Sequence, residues 1–244
     1  MLSQRQLFLQ HVAQTSDAPL ALEIEKAEGI YLHDVDGKKY IDLISGIGVS
    51  ALGHCHPKIV DAMNKQAQTL TLTSRAFYND QLGPYEEYLT KYFGFDKVLP
   101  MNTGAEAVET ALKLARKWAY EVKGIAEHEA KVIVCDGNFH GRTTTIISFS
   151  NDENARKNFG PYTEGFIKIP YNSIDALEKV LQSTTNMAGF LVEPIQGEAG
   201  VYTPDDDYMM LAKELCNKYN VLFIADEIQT GIARTGSLLA VCGN

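Results

Sequence analysis

Short apolar runs alternate with segments of helical periodicity from about residue 97 onward, and this alternation constrains the fold more than any other feature. Helices are predicted between most of these runs. The predicted strands are 97–101, 131–135, 166–169, 188–192 and 221–225. Strands that alternate with helices build βαβ units. We therefore expect an α/β fold with a mainly parallel sheet and helices on both of its faces.

The first 45 residues differ in character from the rest of the chain. Short strands are predicted at 22–24, 30–33 and 39–43, and the last two are joined by Asp36-Gly37, a dipeptide typical of tight hairpin turns. We expect a short antiparallel segment at 1–45, followed by a larger α/β domain at 46–244.

The glycine-rich stretch GIGVSALG at 46–53 invites comparison with a dinucleotide-binding loop. It lacks the G-x-G-x-x-G spacing, and the next helix is predicted to begin only near Pro57, so a nicotinamide site is not expected. The neighbouring His-Cys-His at 54–56 contains potential metal ligands. Alternate residues on an irregular loop rarely converge on one ion, so we expect turn or capping roles and no metal site.

Charge and cysteine usage argue against several classes of function. The 244 residues include 31 acidic and 22 basic side chains, a net charge of -9, so neither nucleic acid nor an anionic membrane is expected as a partner. The four cysteines form no CxxC pair, which argues against a zinc site or a disulfide framework and fits a cytoplasmic location. Residues 1–16 are more typical of an amphipathic helix than of a mitochondrial presequence, and no apolar run approaches the length of a membrane span.

The helix predicted to begin at Gly104, just after the predicted strand 97–101, has the features of an anion site at its start. Thr103 and Glu106 fit a T-x-x-E capping box, and Gly104 lets a ligand approach the backbone N–H groups closely. Those N–H groups favour negative charge. A well-capped helix without a ligand is the other interpretation.

Three loops that follow predicted strands, 136–143, 193–200 and 226–229, also contain polar and aromatic side chains. These side chains are Phe139, His140, Arg142, Glu193, Glu198, Asp226 and Gln229. Each one taken separately is also compatible with packing or with a solvated surface. Because the carboxyl ends of parallel strands lie at one edge of the sheet, we expect the three loops to meet there with the helix start.

An aromatic cofactor with one phosphate and a ring nitrogen matches these parts. The helix start is suited to the phosphate, Phe139 and His140 to covering a flat ring, and the fork of Arg142 to a carboxylate. A buried carboxylate beside a pyridine nitrogen keeps that nitrogen protonated, and the ring then withdraws electrons.

Four segments resemble class III, fold-type-I pyridoxal-phosphate aminotransferases, and within that family the branch that acts on ornithine. The segments are NTGAEAVETALKLAR, NFHGRT, VEPIQGEAG and DEIQTGIARTG. The resemblance implies a homodimeric enzyme with pyridoxal 5'-phosphate as cofactor. It also implies that 46–244 is the cofactor-binding large domain and that 1–45 is part of the small domain.

The resemblance assigns cofactor contacts to this sequence residue by residue. The backbone around Gly104 would bind the phosphate, Phe139 would stack on the ring, Asp226 would pair with the pyridine nitrogen, and Gln229 would contact the phenolic oxygen. The expected cofactor-binding residues are Thr103, Gly104, Ala105, Phe139, His140, Asp226 and Gln229. Asp226 is also the expected catalytic residue.

Three further positions are implied to contact substrate. Arg142 would bind a substrate carboxylate, and Glu198 would correspond to the glutamate that pairs with a later arginine and lets one site accept two substrates. Ornithine-specific members carry tyrosines that recognise the α-amino end of ornithine. Asp17 and Ile47 occupy those positions here, so we expect relaxed selectivity for the amino donor.

The implied reaction moves the terminal amino group of ornithine to 2-oxoglutarate and yields glutamate semialdehyde and glutamate. The sequence ends at Asn244, before the lysine to which family members attach the cofactor, so we expect this chain alone to be inactive. Two alternatives are a transaminase for acetylornithine or 4-aminobutyrate, and a non-catalytic domain that binds pyridoxal phosphate or another protein.

Overall fold

The structure is a computed structural model that describes residues 2–13, 20–74 and 76–242. It divides into two compact units, Met1–Tyr85 and Glu86–Asn244, and each unit contains one β-sheet. A compact unit is not the same thing as a domain of a whole enzyme. The boundary at residue 45 therefore stays a prediction.

The first unit contains a three-stranded antiparallel sheet. Its strands are β1 Ile24–Glu28, β2 Tyr31–Asp34 and β3 Lys39–Ile41, paired in sequence order. Gly37 has a φ of 80° in the turn between β2 and β3, and Asp34 Oδ1 accepts the N–H groups of Asp36 and Lys38. The hairpin predicted at Asp36-Gly37 is confirmed. Among its described residues, this unit also contains the helices α1 Gln4–His11, α2 Ser45–Gly48 and α3 Pro57–Thr69.

The second unit is built on a four-stranded parallel sheet. Its strands are β4 Lys131–Cys135, β5 Phe166–Ile169, β6 Met187–Val192 and β7 Leu222–Ala225. Their spatial order is β5-β4-β6-β7, and every neighbouring pair is parallel. The remaining helices are α4 Leu82–Phe93, which crosses the boundary between the units, α5 Gly104–Glu121, α6 Glu153–Arg156, α7 Ile174–Ser183 and α8 Tyr208–Lys218. Short 3₁₀ turns lie at Ile146–Ser148 and Ala240–Cys242.

Helices cover both faces of the parallel sheet, as predicted. Side chains alternate along a strand, so β4 contributes Val132 and Val134 to one core and Ile133 and Cys135 to the other. The first core includes buried residues of α5, and the second includes buried residues of α7 and α8. Within the described ranges, no helix is both long enough and apolar enough to cross a membrane.

Two expectations about the strands are wrong. The segment 97–101 is not a strand, since it pairs with no other strand among the described residues, and Leu99 within it is 59% exposed. Strand β7 was expected to be covered on both faces, but its four residues are only half-buried. It is the last strand in the observed order, so no described strand pairs with its outer edge. Apolar composition favours a strand, but pairing decides whether one forms.

We expect Leu112→Ala in α5 to destabilise the protein by about 2–5 kcal/mol, because Leu112 is 1% exposed and its loss leaves a cavity in the core. Leu114 on the same helix is 52% exposed, so Leu114→Ala is the matched control and should change the free energy of unfolding by about 0.5 kcal/mol or less. Urea denaturation measures both. Equal losses would show that the predicted core face of α5 is incorrect.

Candidate functional site

A cavity opens at the carboxyl edge of the parallel sheet. Four segments line it: the start of α5 and the loops that follow β4, β6 and β7. The lining residues are Gly104, Ala105, Phe139, His140, Gly141, Glu193, Ile195, Asp226, Ile228 and Gln229. The predicted meeting of these segments is therefore observed.

The start of α5 presents unpaired backbone donors to this cavity. Thr103 is the N-cap, and its hydroxyl accepts the N–H of Glu106 at 3.1 Å. The Glu106 carboxylate accepts the N–H of Asn102 at 2.8 Å, one residue before the position that a capping box uses. The N–H groups of Gly104 and Ala105, at the first turn, have no intrahelical acceptor. Hydrogen bonding and the helix dipole thus both favour an anion at this end of the helix.

Gly141 allows the loop after β4 to pack against the start of α5. It has a φ of +121°, and a Cβ there would lie 2.9 Å from the Cβ of Ala105. The Thr143 hydroxyl donates to the Glu109 carboxylate of α5 and ties the same loop to the helix. Phe139 and the helix start are consequently held beside each other.

Asp226 is fixed at the end of β7 by three hydrogen bonds. Its N–H donates to Val192 O at 2.8 Å and extends the ladder with β6. Asp226 Oδ1 accepts the N–H of Ile228 at 3.1 Å, and Oδ2 lies 2.6 Å from Nδ1 of His140. The side chain is only 7% exposed. A carboxylate that is buried and held from both oxygens keeps one orientation at the cavity wall.

His140 lies deeper than the sequence suggests. Its side chain has no exposed surface, and the imidazole bonds to Asp226. This geometry favours a role in supporting Asp226 over the predicted role of covering a ring. Spacing in NFHGRT could not distinguish the two, because both place His140 in the same loop.

Glu193 is a buried acid for which the sequence suggested no role beyond its position after a strand. Burial raises the pKa of its carboxyl to about 8, and the charges of Asp226 and Glu198 act in the same direction. The N–H of Phe139 donates to Glu193 Oε2 at 3.0 Å and opposes this shift. The site therefore contains a carboxyl that holds a proton near neutral pH.

Two amide side chains hold the loops around the cavity, and the sequence analysis missed both. Asn138 Nδ2 donates to Cys135 O at 2.6 Å and to Phe149 O at 3.2 Å. Gln196 Nε2 donates to Asp136 O at 2.9 Å. Both side chains belong to buried residues. The only signal in the sequence is an amide within a few residues of a strand end, which is too common to be specific.

The predicted substrate residues differ in their surroundings. Arg142 is exposed, with its guanidinium carbon 5.9 Å from the centre of the Phe139 ring. Glu198 Oε1 accepts the side-chain N–H of Gln229 at 3.0 Å. Ile47 belongs to the first unit, where it is 71% exposed with a φ of 60°. Asp17 lies outside the described residues, and the substrate contacts of all these positions stay predictions.

The groups around the cavity fit an aromatic phosphate ester. The helix start offers N–H donors, Phe139, Ile195 and Ile228 offer apolar surface, and Asp226 offers a carboxylate for a ring N–H. The cavity volume is about 90 Å³, below the roughly 300–1,000 Å³ of typical ligand pockets. These residues would therefore surround such a ligand on some of its sides only.

Comparison with known proteins identifies one family. The sequence model of the family described as Aminotransferase class-III matches residues 12–243. A curated relative from Rattus norvegicus, named ornithine aminotransferase, mitochondrial, is 57% identical over 223 residues, which cover 91% of this chain and 51% of the relative. The chain thus spans about half the length of the curated relatives that it matches.

Solved structures show the same fold. The ornithine aminotransferase from Toxoplasma gondii ME49 superposes with a TM-score of 0.95 at 48% identity, over 99% of this chain and 57% of that one. Another structure of the Toxoplasma gondii enzyme is described as having partial occupancy of PLP at its active site. The acetylornithine aminotransferase from Elizabethkingia anophelis gives a TM-score of 0.83 at 54% identity, over 96% of this chain and 55% of that one.

We expect the wild type to become less stable as pH rises, and Glu193→Gln to abolish this pH dependence. Between the ordinary carboxyl pKa of 4.5 and about 8, native Glu193 keeps a proton that the unfolded chain has released. The unfolded state binds fewer protons there, so the free energy of unfolding falls with rising pH, by an amount on the order of 3–5 kcal/mol. Urea unfolding from about pH 5 to about pH 8 measures it.

The control for this experiment is Glu214→Gln, which neutralises an exposed carboxyl on α8. It should leave the pH dependence of unfolding as in the wild type. A wild-type slope in Glu193→Gln as well would mean that Glu193 is ionised in the native protein.

Proposed function

Because this chain belongs to the class-III aminotransferase family, we propose that it forms the cofactor-binding part of a pyridoxal-phosphate transaminase that uses ornithine and 2-oxoglutarate. One observation supports the cofactor most directly. The buried carboxylate of Asp226 is held at the wall of a cavity that also contains a helix N-terminus. That combination suits a ring nitrogen and a phosphate on one molecule.

Residues of four segments would hold the cofactor. The N–H groups of Gly104 and Ala105 bind the phosphate, and Phe139 packs on the face of the ring. Asp226 accepts the ring N–H, and Gln229 contacts the phenolic oxygen. When bound, pyridoxal phosphate supplies a protonated ring that withdraws electrons from the carbon at which the amino group is exchanged.

The substrate roles follow from charge and exposure. Arg142 is exposed beside Phe139, so its fork is free to bind a carboxylate of 2-oxoglutarate. Glu198 is held by Gln229, which places a negative charge at the rim of the same cavity. We assign Glu198 to the control of which substrate carboxylate enters. Ile47 is assigned to contact with the amino donor, for which it lacks the hydroxyl group of a tyrosine.

Acetylornithine is the principal alternative donor, because a solved acetylornithine aminotransferase superposes well at 54% identity. 4-Aminobutyrate is a second alternative, since Ile47 provides no hydrogen bond to an α-amino group.

We further propose that the whole protein is a homodimer in the cytoplasm. The first unit exposes large apolar side chains of the kind that an assembly covers. Leu43, Val49, Leu72, Phe77 and Tyr78 are each more than two thirds exposed. A monomer in sedimentation equilibrium of the whole protein would contradict the dimer, and an organellar fraction that contains the protein would contradict the location.

The proposed function is tested by assaying the whole protein with each donor and 2-oxoglutarate. We expect kcat/KM to be highest for ornithine, with 4-aminobutyrate accepted appreciably. Asp226→Ala should abolish turnover with every donor, because the ring nitrogen loses its carboxylate. Asp206→Ala, which removes an exposed carboxylate before α8, is the control and should leave turnover unchanged.

Other results would contradict specific parts of this proposal. If acetylornithine gives the highest kcat/KM, the donor is wrong but the reaction class stands. If Asp226→Ala remains active, the cofactor orientation in the cavity is wrong.

Arg142→Ala should raise the KM for 2-oxoglutarate roughly ten- to hundredfold. This factor corresponds to the loss of a charge-assisted hydrogen bond, which contributes about 1.5–3 kcal/mol. Arg142→Lys should recover part of the loss, since lysine keeps the charge but not the fork. Lys117→Ala, which removes an exposed cation from α5, is the control. A KM that does not change in Arg142→Ala would exclude Arg142 from the oxo-acid site.

A further inference from the structure

The imidazole of His140 lies between two buried carboxyl groups. Its Nδ1 is 2.6 Å from Asp226 Oδ2, and its Nε2 is 4.0 Å from Glu193 Oε2. The imidazole has no exposed surface, and the Asp226 and Glu193 side chains are 7% and 9% exposed. The environment of His140 is therefore set by these two acids rather than by solvent.

Hydrogen bonding determines where one proton of His140 lies. An ionised carboxylate only accepts hydrogen bonds, so Nδ1 donates to Asp226. Nε2 has no hydrogen-bond partner among the residues that the structure describes. The atom that faces it is Glu193 Oε2, which already accepts the N–H of Phe139 at 3.0 Å. The 4.0 Å between Nε2 and Oε2 is too long for a hydrogen bond, so a proton on the Glu193 carboxyl would lie beside Nε2 without bonding to it.

The charges and burial around Glu193 favour a proton on its carboxyl group. Burial, together with the charges of Asp226 and Glu198, raises the pKa of the Glu193 carboxyl to about 8. The other titratable groups that face Glu193, His140 and Asp226 from the adjoining strands and loops are Cys135, Tyr171 and Glu198. Burial raises the pKa of the Cys135 thiol to about 12 and raises that of the Tyr171 hydroxyl as well, so both stay neutral.

We propose that His140 is a positioning residue, which holds the Asp226 carboxylate directed into the cavity so that Asp226 accepts the ring N–H of pyridoxal phosphate. This inference rests on the proposed function and assigns His140 a contact with Asp226 instead of a contact with the ring face. Glu193 completes the arrangement from the opposite side of the imidazole. His140 acts on the cofactor only through the ring nitrogen.

The experiment compares two ligands on the whole protein freed of bound cofactor. One is pyridoxal phosphate, and the other is its 1-deaza analogue, in which C–H replaces the ring nitrogen. Fluorescence titration gives the Kd of each for the wild type, His140→Leu and His140→Asn. The leucine variant keeps a buried apolar side chain, and the asparagine variant returns an N–H donor near the position of Nδ1.

We expect His140→Leu to raise the Kd of pyridoxal phosphate about tenfold or more, and to leave the Kd of the 1-deaza analogue within about twofold of the wild-type value. His140→Asn should retain pyridoxal-phosphate affinity within about threefold of the wild type. In an Asp226→Asn background, His140→Leu should change the ratio of the two affinities no further, because Asp226 is the group through which it acts.

A leucine variant that loses both ligands equally would overturn the proposal, because His140 would then have a structural role alone. A leucine variant with unchanged affinities would overturn it as well. If that variant does not fold, His140→Gln replaces it, since its amide lies near Nε2 and should not recover pyridoxal-phosphate binding as asparagine does. Equal wild-type affinity for the two ligands would instead overturn the pairing of Asp226 with the ring nitrogen, and thus the proposed function itself.

Discussion

Parallel pairing of β4, β6 and β7 is the constraint on which the rest of the site depends. Val134 pairs with Leu191 and Val192 with Ala225, so the three strands end at one edge of the sheet. Residues 140, 193 and 226, which are far apart in the chain, are therefore close to one another in space. The helix start at Gly104 adds an electropositive end to that edge. Antiparallel pairing of any of these strands would send its loop to the opposite edge.

Much of this architecture can be predicted from the sequence, for reasons that are local. The bounds of β4 and β5 follow from short, mostly apolar runs, and the turn at Gly37 and the helix start at Pro57 follow from the backbone preferences of glycine and proline. The segment 97–101 shows the limit of such reasoning. It has the composition of a strand, but a strand also needs a partner, and the identity of a partner is not a local property of the sequence.

The site illustrates the same limit for side chains. Asp226 and Gly104 were predicted at the cavity because their positions at a strand end and a helix start are visible in the sequence. The burial of His140 and the protonation of Glu193 depend on what surrounds them from three other elements. Desolvation is a sum over neighbours in space, so a pKa near 8 for a glutamate cannot be deduced from its place in VEPIQGEAG.

Asp226 and Glu227 are adjacent in the chain, but their carboxylates bond to different segments. Asp226 faces His140 in the cavity, whereas Glu227 accepts the Thr230 hydroxyl and the N–H of Val241 at 2.9 Å and so anchors the chain that follows. Side chains alternate along a strand, so a shift of one position would exchange the two carboxylates. Replacing one apolar residue of β7 by another preserves this arrangement, but adding or removing a single residue destroys it. Natural variation in this segment should thus be found in its composition and not in its length.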